Sequence, residues 1–374
     1  MNTYPIFRAD HVGSFLRPQF LLDARAQFAN QQINIEQLRE IENKAIVDIV
    51  KFQEQVGIRS ITDGEFRRTY FHLDFLQQLG GVTTDAPATV IDNNGKEKLL
   101  PPNIRVTGKV KHVKDIQLAD FKYLNSQITP SSVAKVTIPS PTMLHFRGGR
   151  NGIDKQAYPV LEPDFYNDVA QAYAQELIAL HQAGCRHVQM DDTNLAYLCD
   201  EKMREAARKR GDDPNLLPFK YAEFINKVVN LKPKDLVLTI HLCRGNFKST
   251  FAASGHYGPV AEALLSEMNL DGYFLEYDDD RSGGFEPLKY LPKGKIAILG
   301  LISSKFPQLE NQNDIKRRID QAAKYASIDQ LALSPQCGFS STVHGNNVTL
   351  SDQKAKLQLT VEIAQSVWGS IEIH

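Results

Sequence analysis

The chain has 374 residues, 42% of them hydrophobic and 23% charged, a composition that suits a globular protein with a large core. Its formal net charge is −1, and no basic run is interleaved with aromatic residues, so nucleic acid is not an expected partner. No segment approaches the roughly 18 uncharged apolar residues of a membrane span, and Arg8, Asp10 and His11 interrupt the N-terminus where a secretory leader needs an apolar stretch. A cytoplasmic protein with no membrane partner is expected.

Eight short apolar runs end in polar residues: 6–14, 58–65, 135–141, 187–192, 236–243, 271–278, 295–303 and 330–337. Between the first two, Leu38, Ile41, Ala45, Ile49, Phe52 and Val56 recur at three- and four-residue spacing and predict a helix over 35–55, closed by Gly57. The helix leads directly into Ile58–Thr62 and then Asp63-Gly64-Glu65. Residues 164–184 repeat the unit, with Phe165, Val169, Ala172, Leu177 and Leu180 on one face, Gly184 as the stop, and a strand ending at Asp191-Asp192. Runs such as 236–240 and 296–300 are apolar on both faces, as strands covered by helices outside and packed side chains inside must be. Parallel strands alternating with helices predict an α/β fold, and eight is the number of a (β/α)₈ TIM barrel.

Residues 80–134 break this rhythm. Asn93-Asn94-Gly95 suggests a turn, Pro101-Pro102 follows, and 104–110 alternates in the manner of a half-buried strand. We expect one barrel domain over 1–374 carrying a β-rich insertion at 80–134, between the second and third strands. A cap on the site and a subunit contact in a homo-oligomer are its two candidate uses.

In a barrel the C-terminal strand ends build the active site, so the polar residues there are taken together. His241 and Cys243 stand two apart at the end of 236–243, and in an extended backbone both point the same way. Glu276 ends the 271–278 run and Cys337 the last one. An imidazole, two thiols and a carboxylate make a donor set of the kind Zn²⁺ prefers. Cys185 and Cys199 lie away from strand ends, at a helix end and an apparent helix start, and are read as small buried hydrophobes. The wide cysteine spacing does not suit a disulfide scaffold, so reduced thiols are expected.

The strings HVGSFLRP (11–18), DGEF (63–66), QMDD (189–192), HLCRGN (241–246), FLEYD (274–278) and SPQCGFSS (334–341) resemble the catalytic domain of cobalamin-independent methionine synthase, in its single-barrel members. The resemblance spans nearly the whole chain except 80–134. It implies zinc held by His241, Cys243, Glu276 and Cys337, and the amino-acid part of homocysteine held by Ser14, Glu65 and Asp191. It also implies methyl transfer from a 5-methyltetrahydrofolate-type donor to homocysteine. A free thiol with pKa near 8.5 is mostly protonated at neutral pH, and coordination to a divalent metal removes that proton.

Two departures from the family pattern stand out. The family's proton-transferring histidine after the seventh strand is replaced by Ser303, Ser304 and Lys305, which leaves Lys305 as the candidate acid against the plainer reading of a solvated loop lysine. The family's pterin-side tryptophan is replaced by Phe146, and the single tryptophan, Trp368, lies near the C-terminus. His11, Arg17, His72 and His344 fall near strand ends but are read as structural, and Asp278-Asp279-Asp280 as a solvated loop. The alternatives are the same zinc chemistry on another thiol or alkyl donor, such as a coenzyme-type thiol and an epoxide, a zinc hydrolase, or a non-catalytic zinc-binding barrel. Two thiolates would make the metal a poor Lewis acid, which disfavours the hydrolase.

Overall fold

The structure is a computed structural model that describes residues 5–86, 88–91, 97–100, 102–246, 249–342 and 345–373. Seven parallel strands form one curled sheet in chain order: β1 (Ser60–Ile61), β2 (Val133–Pro139), β3 (His187–Asp192), β4 (Val237–Leu242), β5 (Gly272–Glu276), β6 (Ile296–Ile302) and β7 (Leu331–Pro335). Each falls on an apolar run of the sequence, and β2 begins two residues earlier than the run suggested. Their residues are buried on both faces except at the start of β2, as the sequence required.

The run 6–14 is the eighth stave, although it forms bridges rather than a regular strand. Ala9 pairs with Leu333 in parallel, Asp10 N–H donates to the Leu333 carbonyl at 3.0 Å, and Leu333 N–H donates to that of Arg8 at 2.9 Å. Toward β1, side chains replace the ladder: the His11 ring bonds the Ser60 carbonyl at 2.8 Å, and Thr62 Oγ1 donates to the Gly13 carbonyl at 2.6 Å. The fold is a TIM barrel, closed on this side by side-chain bonds.

The helix predicted over 35–55 runs from Ile35 to Val56. Asn34 accepts from the Gln37 N–H and Gln37 reaches back to Asn34, satisfying N–H groups that a helix start leaves open. Gly57 ends it at φ 96°, a conformation that costs a residue with a Cβ. Its apolar stripe, with Ala45, Ile46, Ile49 and Val50, is buried in the core. The helix predicted over 164–184 runs from Asp164 to Gln182.

Residues 80–134 contain two antiparallel pairs, Gly80–Thr84 with Ile104–Lys111 and Ala88–Ile91 with Glu97–Leu100, and in addition a helix, Leu118–Gln127, that the alternating pattern did not suggest. The Asn93-Asn94-Gly95 turn lies outside the described residues. Glu176, on the Asp164–Gln182 helix, pins the returning segment by accepting from the Ile116 N–H (2.9 Å), the Gln117 N–H (2.7 Å) and the His112 ring (2.7 Å). Among the described residues, no helix is long and apolar enough to cross a membrane.

Candidate active site

The C-terminal ends of β4, β5 and β7 converge on one point. His241, Cys243, Glu276 and Cys337 each present a donor atom, and these atoms lie within 4.8 Å of one another. All four residues are buried. The two sulfurs are 3.6 Å apart, and His241 Nε2 is 3.9 Å from Glu276 Oε1. The sheet produces this convergence because β4 and β5 are hydrogen-bonded neighbours, while Cys337 follows β7 by two residues and turns back over the barrel mouth.

Burial and mutual contact shift the protonation of all four donors. A hydrogen bond from Cys243, opposed by burial and aided by His241, brings the Cys337 thiol down to about 6; the same bond, with burial, drives Cys243 well above its ordinary value. For His241, burial favours the neutral ring but is outweighed by Asp191, Cys337 and Glu276, which raise it to about 9. Burial also opposes ionisation of Glu276, yet Lys305, His241 and Arg281 hold it below the ordinary carboxylate value. Soft thiolates, imidazole and one carboxylate at this spacing fit zinc by donor chemistry.

Around the donors lies a supporting set in which the sequence pointed to Asp191 only as a substrate residue. His241 Nδ1 is 3.5 Å from Asp191 Oδ1, the arrangement by which a carboxylate orients a metal-binding imidazole. Gln189 Nε2 fixes Asp191 at 2.8 Å and bonds the Val12 carbonyl at 2.6 Å. Glu276 Oε1 accepts from the Arg244 N–H at 3.1 Å, and Oε2 accepts from Arg281 Nη2, also at 3.1 Å. The same nitrogen of Arg281 reaches Asp278 Oδ1 at 2.6 Å, so Asp278 is a buried ion-pair partner and not a solvated loop residue; only its neighbours Asp279 and Asp280 are exposed.

Lys305 is only 1% exposed. Its Nζ lies 3.9 Å from Glu276 Oε2 and finds no hydrogen-bond acceptor among the described residues. The solvated-loop reading is therefore wrong for Lys305. Its loop is held by Ser249 Oγ donating to the Lys305 carbonyl (2.7 Å) and Asn346 Nδ2 donating to that of Ser304 (2.9 Å).

The three residues assigned to the amino acid form the adjoining wall. Ser14 Oγ accepts from the Ser340 N–H at 3.4 Å, in the loop that carries Cys337. That approach requires glycine at 338, where a Cβ would fall 1.9 Å from Ser14 Oγ. Glu65 adopts a left-handed backbone, φ 60°, and its Oε1 accepts from Thr137 Oγ1 at 3.1 Å. Arg17 ties the surrounding loops together through the carbonyls of Glu65 (2.8 Å), Arg68 (2.9 Å) and Ser340 (3.2 Å). Burial pushes Glu65 up to about 7; Arg68 and Arg17 oppose this and Asp191 and Asp63 add to it.

Other candidates fall away from this point. Cys185 and Cys199 are buried thiols raised to about 12 by burial. His11 bonds β1, and burial brings buried His72 down to about 3. His344 lies outside the described residues. Phe146 is 5% exposed, edge-on to Tyr197 and Tyr221 and under the Arg210 guanidinium at 5.2 Å. Trp368 donates to the Ile328 carbonyl, before β7 begins and so at the opposite end of the barrel.

Residues 7–366 match the family model described as cobalamin-independent synthase, catalytic domain. This chain belongs to the cobalamin-independent methionine synthase family. The family is one of methyltransferases. A Bacillus subtilis (strain 168) relative, the uncharacterized protein YxjH, is 48% identical over 97% of this chain and 95% of its own. A Listeria monocytogenes structure assigned to the vitamin-B12 independent methionine synthases superposes with a TM-score of 0.78 at 37% identity, over 98% of this chain and 100% of that one. A B12-independent methionine synthase from Shewanella sp. W3-18-1, solved in complex with selenomethionine, shares the fold with a TM-score of 0.70 at 18% identity, over 98% of both chains.

Proposed function

We propose that this member of the family is a zinc-dependent thiol methyltransferase that makes methionine from homocysteine, with a 5-methyltetrahydrofolate-type methyl donor. The observation that carries the reading is the meeting of His241, Cys243, Glu276 and Cys337 within 4.8 Å at the barrel mouth. These four residues would hold the zinc, and the chemistry it would supply there is the lowering of a bound thiol's pKa. With Cys243 and Cys337 as thiolates and Glu276 as a carboxylate, the donor set would carry three negative charges against the dication, a balance that would suit a nucleophilic substrate sulfur.

The chain's own residues do the rest. Asp191 orients His241, and Arg281 and Lys305 hold the outer oxygen of Glu276. Glu65 and Asp191 offer negative charge to the substrate α-ammonium, while the Ser14 hydroxyl is suited to its carboxylate. Proton delivery to the departing amine nitrogen falls to Lys305, which is buried beside the site and has no hydrogen-bond acceptor among the described residues.

The buried Phe146 ring favours a second reading, the same zinc chemistry with another alkyl donor, because rings and a guanidinium already surround the position where the family places its tryptophan. An assay of zinc-loaded protein with homocysteine and 5-methyltetrahydrofolate, in mono- and polyglutamate forms, tests the first. Methionine formation that depends on both substrates supports it. Thiol uptake without turnover on any folate would move the donor to the second reading.

A further inference from the structure

Arg68 has no role in the reading above, yet it lies behind the amino-acid wall and connects that wall to the insertion. Its Nη1 donates to Thr137 Oγ1 at 2.9 Å and lies 3.8 Å from Glu65 Oε1, while Nη2 donates to Gln117 Oε1 at 3.2 Å. Thr137 in turn donates to the same oxygen of Glu65. Gln117 belongs to the insertion, immediately before its helix, and its backbone N–H is anchored on Glu176. A continuous line of bonds therefore runs from Glu176 through Gln117 and Arg68 to the Glu65 carboxylate. All five side chains involved, Glu65, Arg68, Gln117, Thr137 and Glu176, are buried.

Charge balance gives this line a purpose. Glu65 faces the carboxylates of Asp191 and Asp63 and the guanidiniums of Arg68 and Arg17. Two nearby carboxylates resist joint ionisation, and one substrate ammonium offsets only one of them. Arg17 uses its terminal nitrogens on the carbonyls of neighbouring loops, so the counter-charge aimed at the Glu65 carboxylate is that of Arg68. A planar fork with donors in two directions can face Glu65 and Thr137 with one nitrogen and Gln117 with another; a lysine ammonium cannot copy that geometry. Glu65 also sits in a left-handed backbone that a non-glycine residue keeps only when its surroundings hold it.

We propose that Arg68, seated by Gln117 of the insertion, is the positioning residue that aims Glu65 at the substrate ammonium and thereby makes the pocket select an amino-acid thiol over a thiol lacking the amine. This rests on the assignment of Ser14, Glu65 and Asp191 to the amino acid. The test compares dissociation constants of homocysteine and 4-mercaptobutyrate, the same thiol without the amino group, on zinc-loaded wild type, Arg68→Gln, Arg68→Lys and Gln117→Leu. Arg68→Gln is expected to weaken homocysteine about 10–100-fold, the scale of a charged hydrogen bond, with zinc content and 4-mercaptobutyrate affinity unchanged. Arg68→Lys recovers part of the loss. Gln117→Leu, which leaves the charge in place, gives a smaller loss of the same kind and carries the test if Arg68→Gln does not fold. Wild-type discrimination retained in both Arg68→Gln and Gln117→Leu would overturn the inference alone. A wild type that takes up neither thiol would overturn the underlying assignment and the inference with it.

Discussion

Two of the polar clusters that the barrel buries differ in what they ask of their surroundings. Near the N-terminal end of the sheet, Lys135 of β2 bonds Asp10 Oδ1 at 2.8 Å and also the His11 carbonyl, stands 4.8 Å over the Phe274 ring, and has His187 bonded to Thr239 close by. Cation and anion meet there, and burial keeps His11 and His187 well below their ordinary value and so neutral. At the other end, His241, Cys243, Glu276 and Cys337 turn lone pairs toward one another. A cluster that neutralises itself is a structural part, whereas one that gathers thiols, an imidazole and a carboxylate at this spacing fits a metal cation by donor chemistry.

Substitutions should separate the two. At the mouth, Cys337→Ala is expected to remain folded but to lose its zinc and at least about 100-fold of its methyl transfer, more than loss of a merely supporting residue costs. Elemental analysis and the homocysteine assay check this, and normal metal content would remove Cys337 from the donor set. At the lower cluster, Lys135→Met leaves Asp10 buried without its cation and should cost about 3–5 kcal/mol in denaturant unfolding, with zinc per folded molecule unchanged. Adding Asp10→Leu should restore most of that stability.

A smaller effect is expected from Arg281→Met. It removes the guanidinium that lies over Phe251 and, with it, the cation on Glu276 Oε2. Zinc affinity should fall about 10–100-fold in competition with a chelator; no change would mean that Lys305 and the Arg244 N–H position Glu276 unaided. The smallest effect concerns pH. Glu65, raised to about 7, takes up a proton in the free enzyme as the pH falls through that value, so homocysteine affinity should drop by up to about tenfold per unit below it. Its effect on stability has the opposite sign, since a carboxyl raised on folding stabilises at low pH and loses that contribution as the pH rises through about 7. Calorimetric titration of thiol binding and thermal unfolding across this range check the pair.

Much of this architecture was legible in the chain. Strands of a barrel are covered on both sides, so their apolar runs stand out, and β1 to β7 fall on them. The run 6–14 was legible as a stave but not as a bridge-only one, because the bonds that replace its ladder come from His11 and Thr62 side chains. Leu118, Phe121 and Leu124 carry helical spacing that the neighbouring alternation at 104–110 obscured. The four donors were visible because each ends an apolar run. Their supports were not: Arg281 folds back over Glu276 and Asp278, and Lys305 is drawn inward from what reads as a polar loop. Arg68 had no signal beyond sharing a loop with Glu65, since Thr137 and Gln117 reach it from distant parts of the sequence.

The function proposed above requires that the mouth cluster hold zinc and present it to the thiol of homocysteine. X-ray absorption at the zinc edge, on protein purified without added metal and measured with and without homocysteine, tests it most directly. About one zinc per chain is expected, in a shell of two sulfurs with nitrogen and oxygen, gaining a third sulfur when homocysteine is added. A shell that homocysteine leaves unchanged, or a protein that neither carries nor takes up zinc, would contradict it.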